Sequence, residues 1–313
     1  MKLLAFVCSS LLSFSLMAGE LIDKTIDVPS NNKIYIENDQ GEIILKGWDK
    51  QQMQVSGTLD DRADGYIFRN KKGGRTEFIV EMPNHYSRKD GKGSKLTIFV
   101  PKTHLINIES VNADMDIAEL SAGIVLDTVN GDIDIQDVTG RINLDTVNGD
   151  IKSHNLNGQI RIETVNGDIR DTNSQGDMRF EAVNGDLKST TLSHDIRIES
   201  VNGDVEINAD TIKNFEITTV GGEVEVAMKA LSRGANIQAE TVNGDILFKL
   251  PRDLSADVEI AAHAGGKIRN GLSKDKPKKA KYGPSSSLEF QLKDGDVEIE
   301  IDTVNGRIEL KYN

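Results

Sequence analysis

The chain has 313 residues, of which 37% are hydrophobic and 28% are charged, and its formal net charge is −13 at pH 7. This balance is typical of a soluble protein and argues against a membrane protein. The excess of acidic residues also argues against nucleic acid as a partner, because a phosphate backbone is bound by clustered Lys and Arg.

Residues 1–18 are typical of a signal peptide for export. Lys2 provides a positive start, an apolar stretch follows, and Ala18 is a small residue after which a peptidase can cut. Four serines interrupt the apolar stretch and disfavour the alternative of a transmembrane anchor. No second stretch is long enough to span a bilayer. We therefore expect an exported chain without a transmembrane segment after signal removal, located in the periplasm rather than secreted or surface-exposed.

The only cysteine, Cys8, lies inside this segment. Phe6 and Val7 are bulky where a lipoprotein signal has small residues, so lipidation of Cys8 is not expected. Cleavage after Ala18 would leave a chain without disulfides, thiol catalysis or thiolate metal sites.

Residues 19–110 predict an N-terminal β cap with irregular coils. Four short segments (33–37, 42–45, 77–80 and 96–100) are rich in β-branched and aromatic residues and are separated by polar insertions. The only tryptophan, Trp48, is expected to anchor this cap rather than to form a platform for a ligand.

Residues 111–270 are organised by the phrase Val-Asn-Gly-Asp, which recurs every 18 residues; Ala113 replaces the glycine in the first copy. A fixed period of this size is typical of repeat architectures, in which each unit stacks on its neighbours to bury its apolar face. The register loosens after the sixth copy. The six asparagines of the regular copies are Asn112, Asn130, Asn148, Asn166, Asn184 and Asn202.

One unit, residues 131–148, consists of two similar halves of nine residues. Apolar and polar residues alternate within each half, as they do in a β-strand, and no 3.6-residue period indicates a helix. The apolar residues have the same spacing in both halves: Ile133, Ile135 and Val138, then Ile142, Leu144 and Val147.

Two architectures fit these strands. Asn-Gly between strands favours hairpins and hence an antiparallel meander. A meander would leave one wide apolar face uncovered, whereas a coiled chain buries that face between two parallel sheets. We therefore predict an all-β fold, a single-stranded parallel β-solenoid (β-helix) with 18-residue coils made of two nine-residue halves, whose Ile, Leu and Val side chains face each other.

The corner asparagines are predicted to be structural. Asn tolerates left-handed backbone angles better than most residues do, and Gly tolerates them freely. In register, the asparagine amides would stack as a ladder along the axis of the coil.

Carboxylates form two columns beside the corner. Arg and Lys two residues away neutralise them in the middle units, but the first units lack these cations. Clustered carboxylates are what calcium requires, so this cluster is a candidate weak divalent-cation (Ca²⁺) site, with a solvated acidic patch as the alternative. No other cofactor is expected. The six acids are Asp114, Asp116, Asp127, Asp132, Asp134 and Asp145.

A polar notch is predicted on the other wall. Where the first units place Ile117 and Ile135 inward, later units have serine or aspartate. Such a notch could bind glycan hydroxyls, although the absence of nearby aromatic residues weakens that interpretation; alternatively the strand ends early and these residues form a turn. The candidate binding residues are Ser153, His154, Asp171, Thr172, Asn173 and Thr190.

Residues 271–287 contain five lysines, two prolines and four serines, which predicts a basic, mobile and exposed loop. This loop could contact an anionic surface or simply be solvated. Residues 288–313 then predict closing strands.

Three motifs open the predicted cap, Ile36-Glu37-Asn38, Gly41-Glu42-Ile43 and Gly47-Trp48-Asp49, and many Asn-Gly-Asp-Ile corners follow. This order of motifs resembles the bacterial β-strand-repeat "putative adhesin" family of unknown function, over nearly the whole mature chain. The resemblance implies an exported, non-enzymatic, solenoid-like envelope protein, and it carries over no binding residues.

The sequence contains no recognisable catalytic constellation: its five histidines are scattered without metal-ligand spacing. We expect a non-catalytic, exported protein of the cell envelope or surface with an interaction, adhesin-like or structural role. Its partner would be an unidentified envelope protein or a glycan. The alternative is a carbohydrate-active β-helix enzyme similar to polysaccharide lyases, which requires a groove that gathers acids and a basic residue on one wall.

Overall fold

A computed structural model describes residues 19–83 and 91–313. In these ranges the chain forms 24 β-strands and no helix, which confirms the all-β prediction. None of the described residues therefore belongs to a helix that is long and apolar enough to cross a membrane. The predicted signal peptide, 1–18, lies outside the described residues together with Cys8.

Stacking of strands begins inside the predicted cap. Strand β2 (Lys33–Trp48) pairs in parallel with β7 (Ile106–Leu120), which places Gln40 opposite Asn112 and Ile43 opposite Met115. The other strands of this segment form three antiparallel pairs: β1 with β3, β3 with β6, and β4 with β5. The strands of this segment are β1 (Leu21–Asp27), β2 (Lys33–Trp48), β3 (Gln52–Thr58), β4 (Gly65–Lys71), β5 (Arg75–Glu81) and β6 (Ser94–Pro101).

The predicted anchor role of Trp48 agrees with its contacts. Its ring stacks on Phe99 with 5.2 Å between the centroids, and its Nε1 donates a hydrogen bond to the Gln52 carbonyl. The buried Glu77 holds a second part of this segment together. Burial opposes its charge, but hydrogen bonds from Arg75 and Arg69 outweigh burial and lower the pKa of Glu77 below its usual value.

The repeat consists of parallel strands that pair in register at a separation of 18 residues. Ile133 lies opposite Ile151, and Ile151 lies opposite Ile169. The strands are β7 (Ile106–Leu120), β8 (Ile124–Asn130), β9 (Ile133–Asn148), β10 (Ile151–His154), β11 (Asn157–Asn166), β12 (Ile169–Thr172), β13 (Gln175–Asn184), β14 (Leu187–Thr191), β15 (Asp195–Asn202) and β16 (Val205–Gly221). Parallel pairing excludes the antiparallel meander for these residues and makes the fold β-solenoid-like.

Each unit contributes to two strand stacks. The first stack contains β10, β12 and β14, and the second contains β11, β13 and β15. Inward side chains from both stacks, such as Ile151 and Ile162, are fully buried in one continuous apolar core. Each buried aliphatic side chain contributes about 1.5–3 kcal/mol, so the core depends on every unit having neighbours.

The prediction that Val147 points inward is wrong. Thr146 is buried, whereas Val147 is 39% exposed. The cause is the period of two in a strand: Ile142 and Leu144 point inward, so 146 points inward and 147 outward. The two halves of a unit therefore differ at their third apolar position, since Val138 is fully buried.

Side-chain amides form a ladder at the corner. The Nδ2 of each asparagine donates a hydrogen bond to the Oδ1 of the asparagine one unit earlier, at 2.5–3.0 Å. The glycine that follows permits close stacking: a Cβ on Gly167 would lie 2.0 Å from the carbonyl oxygen of Gly149. Only glycine fits such an approach of two backbones.

The C-terminal strands depart from the 18-residue register. A register shift occurs between Ile212 and Asn214. Asn243 pairs with Asn305, 62 residues later, and β19–β22 lie in the intervening sequence. The strands are β17 (Val224–Asn243), β18 (Ile246–Leu250), β19 (Ala256–Ala262), β20 (Lys267–Asn270), β21 (Lys278–Lys279), β22 (Ser286–Leu292), β23 (Val297–Asn305) and β24 (Arg307–Tyr312).

The basic loop 271–287 is mostly exposed and irregular; the two-residue β21 pairs with Ser286 and Ser287, where β22 begins. Leu272 is the exception, being buried against the end of the core. The mobility of this loop stays a prediction.

Replacing Asn166 by Leu is expected to lower the melting temperature by roughly 2–4 °C or more. The change removes two amide hydrogen bonds, to Asn148 and from Asn184, each worth about 1 kcal/mol. The matched control is Gln159→Leu, an exposed amide in the same unit without a side-chain hydrogen bond among the described residues. Thermal melting of both variants is the measurement; equal melting curves would rule out a stabilising ladder.

Candidate binding face

The outer side of the second strand stack carries a column of valines, which we call the valine column. Its members occupy the same corner position in successive units and are between 38 and 44% exposed. Sequence analysis missed this column because it assigned these residues to the core; the period of two within the strand was the available signal. The column consists of Val129, Val147, Val165, Val183, Val201, Val220, Val242 and Val304.

A groove of about 750 Å³ follows this column, and we call it the valine groove. Five valines, Val147 to Val220, line it together with buried Thr or Ser side chains beside them. Its charged lining consists of five carboxylates and one guanidinium: Asp127, Asp145, Glu163, Glu181 and Glu199, with Arg197. The groove is therefore apolar along its length and acidic along one edge.

Arginines neutralise the middle of this acidic edge. The guanidinium of Arg179 contacts Glu181 at 2.6 Å and Glu199, one unit on, at 3.0 Å. Arg161 and Arg197 repeat this arrangement, and each bridges the carboxylate of its own unit to the next one. Since all three arginines are substantially exposed, each pair contributes less than about 1 kcal/mol.

The first two carboxylates of the edge have no such cation. The position held by Arg161 is Asn143 one unit earlier and Val125 two units earlier. Within the described residues, neither Asp127 nor Asp145 has an ion pair within 4.0 Å, and the Oδ1 of Asp145 is buried without a hydrogen-bond partner. Burial and the neighbouring charge of Asp127 raise the pKa of Asp145.

The structure does not bring the six predicted calcium ligands together. Asp127 and Asp145 line the valine groove, whereas the other four lie in a shallow cleft of the first strand stack, with Glu42 and Lys152. Among the described residues, no three His, Asp, Glu or Cys side chains form a group that could hold a metal ion. Calcium binding stays a prediction. The four acids in the cleft are Asp114, Asp116, Asp132 and Asp134.

The aspartates that follow the corner glycine have a structural contact that the sequence did not predict. The carboxylate of Asp150 accepts a hydrogen bond from the backbone N–H of Asp168, and Asp132 accepts one from Asp150. The same contact, at 2.7–3.0 Å, recurs from Asp114 to Asp204. Each carboxylate therefore offsets part of its repulsion from its neighbours by binding a backbone donor.

The predicted polar notch is divided between the core and the surface. Ser153 and Asp171 are buried, and Asp171 is 1% exposed. The remaining residues of the notch, His154, Thr172, Asn173 and Thr190, are exposed. Asn173 has a left-handed φ of 58°, directly after β12 ends at Thr172, as the alternative of an early turn predicted. An open cleft that includes Ser153 and Asp171 is not present.

Three serine hydroxyls surround the buried Asp171 carboxylate. Ser153 and Ser174 donate to its Oδ1 at 2.7 and 2.5 Å, and Ser189 donates to its Oδ2 at 2.9 Å. These bonds favour the ionised form, but burial outweighs them and raises the pKa of Asp171. At this inward position the first units have isoleucine, which packs in the apolar core. Here hydrogen bonds among polar side chains take the place of that packing.

The chain belongs to the Toastrack DUF4097 family, which matches residues 31–192 and 189–311. This confirms the predicted resemblance to an adhesin-like family of unknown function. Among curated proteins, none matches the chain.

Three solved structures are similar over most of both chains. A "putative cell adhesion protein" from Clostridium sporogenes is 10% identical over 94% of this chain and 100% of its own, with a TM-score of 0.21. A "putative lipid binding protein" from Parabacteroides distasonis is 11% identical over 94% and 98%, with a TM-score of 0.42. A "putative adhesin" from the same organism is 11% identical over 93% and 97%, with a TM-score of 0.29. None of these descriptions names a catalytic activity.

Replacing Asp171 by Asn is expected to raise the melting temperature at pH 8 by roughly 2–4 °C, which corresponds to about 1 kcal/mol. The folded-state pKa of Asp171 lies above its unfolded value. The carboxyl therefore stabilises the fold fully below the unfolded pKa, and this stabilisation is lost as the pH rises through the folded pKa. In the variant, the amide oxygen can still accept from Ser153 and Ser174, and the amide nitrogen can donate to the Ser189 hydroxyl instead of accepting from it, without a buried charge.

The gain should accordingly shrink when melting is repeated near pH 4. Asp177→Asn is the control, because Asp177 is exposed and close in sequence. A gain for Asp171→Asn that does not change with pH, or a loss at both pH values, would contradict this assignment.

Proposed function

We propose that this protein is a non-catalytic, exported component of the cell envelope with an adhesin-like role, in which the outer face of the second strand stack binds a partner. We infer further that each 18-residue unit is one coil of a single-stranded β-solenoid, made of two nine-residue halves. Such a coil repeats the same outward residues along its axis and so presents one long face to a partner.

The observation that carries this proposal is the groove along the valine column. A contiguous apolar patch is unfavourable when it is exposed to water. Such patches therefore often mark sites at which a protein binds a partner. Eight valines in one column are not required for the core, since the inward position beside each of them is Thr, Ser or Ala. The family match supports an adhesin-like role and names no ligand.

The carbohydrate-active alternative requires acids and a basic residue in one groove, and the valine groove does contain both. Arg197, however, is held by Glu199 and Glu216 at 3.1 and 2.8 Å, and the floor of the groove is apolar. A lyase base must instead be available to take a proton from the sugar. We therefore favour binding over catalysis.

Export is tested by fractionating cells that express the chain with a C-terminal tag. The mature protein should begin at Gly19 and appear in the periplasmic fraction. Leu11→Arg with Leu12→Arg should leave the chain unprocessed in the cytoplasm, because charges in the apolar stretch block signal function, whereas Asn166→Gln should be exported normally. An uncleaved wild-type chain in the cytoplasm would contradict the proposal.

A further inference from the structure

We propose that the valine groove binds an extended peptide segment that is both apolar and positively charged. This inference rests on the proposed function, because it names the class of partner for the same face. It follows from three properties of the groove: its apolar floor, the charge of its edge and its length.

The apolar floor selects for aliphatic side chains. Val147, Val165 and Val183 lie in register in adjacent units, so their exposed methyl groups form a continuous stripe without a polar interruption. The groove of about 750 Å³ along this stripe can hold several aliphatic side chains. Its lining contains no aromatic ring, the group on which sugars usually stack, and a glycan therefore fits it less well.

The acidic edge selects for cations. Five carboxylates and one guanidinium line the groove, and the carboxylates at its N-terminal end, Asp127 and Asp145, have no ion pair among the described residues. Asp127 is exposed, so a lysine or arginine of a partner could approach it and supply the positive charge that this end of the edge lacks. An anionic partner, such as a phosphate headgroup, would meet repulsion at this end of the edge, where no arginine pairs with the carboxylates.

The length of the groove indicates a short, extended segment. Adjacent strands lie about 4.8 Å apart, so the lining from Asp127 to Thr218 spans about 24 Å, which seven or eight extended residues would cover. Side chains on one face of an extended peptide repeat at about 6.7 Å, which does not match the spacing of the valines. The groove should therefore recognise an amphipathic and cationic pattern rather than one particular sequence.

The probe is a blocked eight-residue peptide of alternating Leu and Lys, titrated into the full mature chain in calorimetry at low salt. Matched peptides of alternating Leu and Glu and of alternating Ser and Lys separate the contributions of charge and apolar surface. We expect the Leu-Lys peptide to bind at least about tenfold more tightly than either control. Equal binding of the Leu-Glu peptide would overturn the assignment of charge, and equal binding of the Ser-Lys peptide would overturn the role of the valines.

Two variants test the site on the protein. Val165→Ser combined with Val183→Ser should weaken binding by about tenfold or more, whereas Val304→Ser, in the same column but outside the groove, should not change it. Asn143→Arg should place a guanidinium beside Asp145, as Arg161 does one unit later, and weaken binding by about tenfold at low salt and less at high salt. Circular dichroism and melting verify that each variant is folded.

Full-affinity binding by the valine double variant would overturn the proposal. So would self-association in sedimentation that the same double variant abolishes, because a second copy of this chain would then occupy the groove. Failure of the Leu-Lys peptide to bind at millimolar concentration would also overturn it, and would leave the separate test of export and processing unaffected.

Discussion

Everything else in this structure depends on the close approach of the backbone in successive units at the Asn-Gly-Asp corner. A Cβ on Gly167 would lie only 2.0 Å from the carbonyl oxygen of Gly149, so the corners from Gly131 to Gly203 approach one another this closely only because they carry glycine. This contact aligns the units without an offset. As a result, the paired strand residues between Ile124 and Asn202 lie opposite the residue 18 positions earlier.

Alignment of this kind places like residues on like residues, which is favourable for some side chains and unfavourable for others. Asparagine is self-complementary, because its amide donates and accepts along the stack. Aspartate is not, and its column is stabilised by backbone N–H donors from the next unit. The glutamates of the outer edge are bridged by arginines that each contact two units. Each column of like charges is thus stabilised by a different set of hydrogen bonds or ion pairs.

The repeat is irregular at two places, at Asp171 in the core and at Asp127 and Asp145 on the surface, and the two irregularities have different consequences. In the core, Asp171 replaces an aliphatic residue; burial raises the pKa of its carboxyl, and three serine hydroxyls donate hydrogen bonds to it. On the surface, Asp127 and Asp145 lie at the end of the acidic edge where the arginine column has not begun. The imperfect repeat inside the protein is compensated by hydrogen bonds from nearby serines, whereas the imperfect repeat beside the valine groove leaves two carboxylates without an ion pair among the described residues.

The sequence by itself determined the all-β class, the 18-residue register, the asparagine column and the family, because a fixed period states directly which residues stack on which. It did not determine which side of each strand a residue occupies near the corner, so Val147 was assigned inward although Thr146 is the buried residue. The sequence also did not show that Asp127 and Asp114 lie on different faces. The repeat places each of them in a column, but it does not say which strand stack carries that column. Only the tertiary structure decided these points. The pleat of the strand and the geometry of the corner set the direction of each side chain, and this direction decides whether the side chain lies in the core, in the amide ladder or on the exposed outer face.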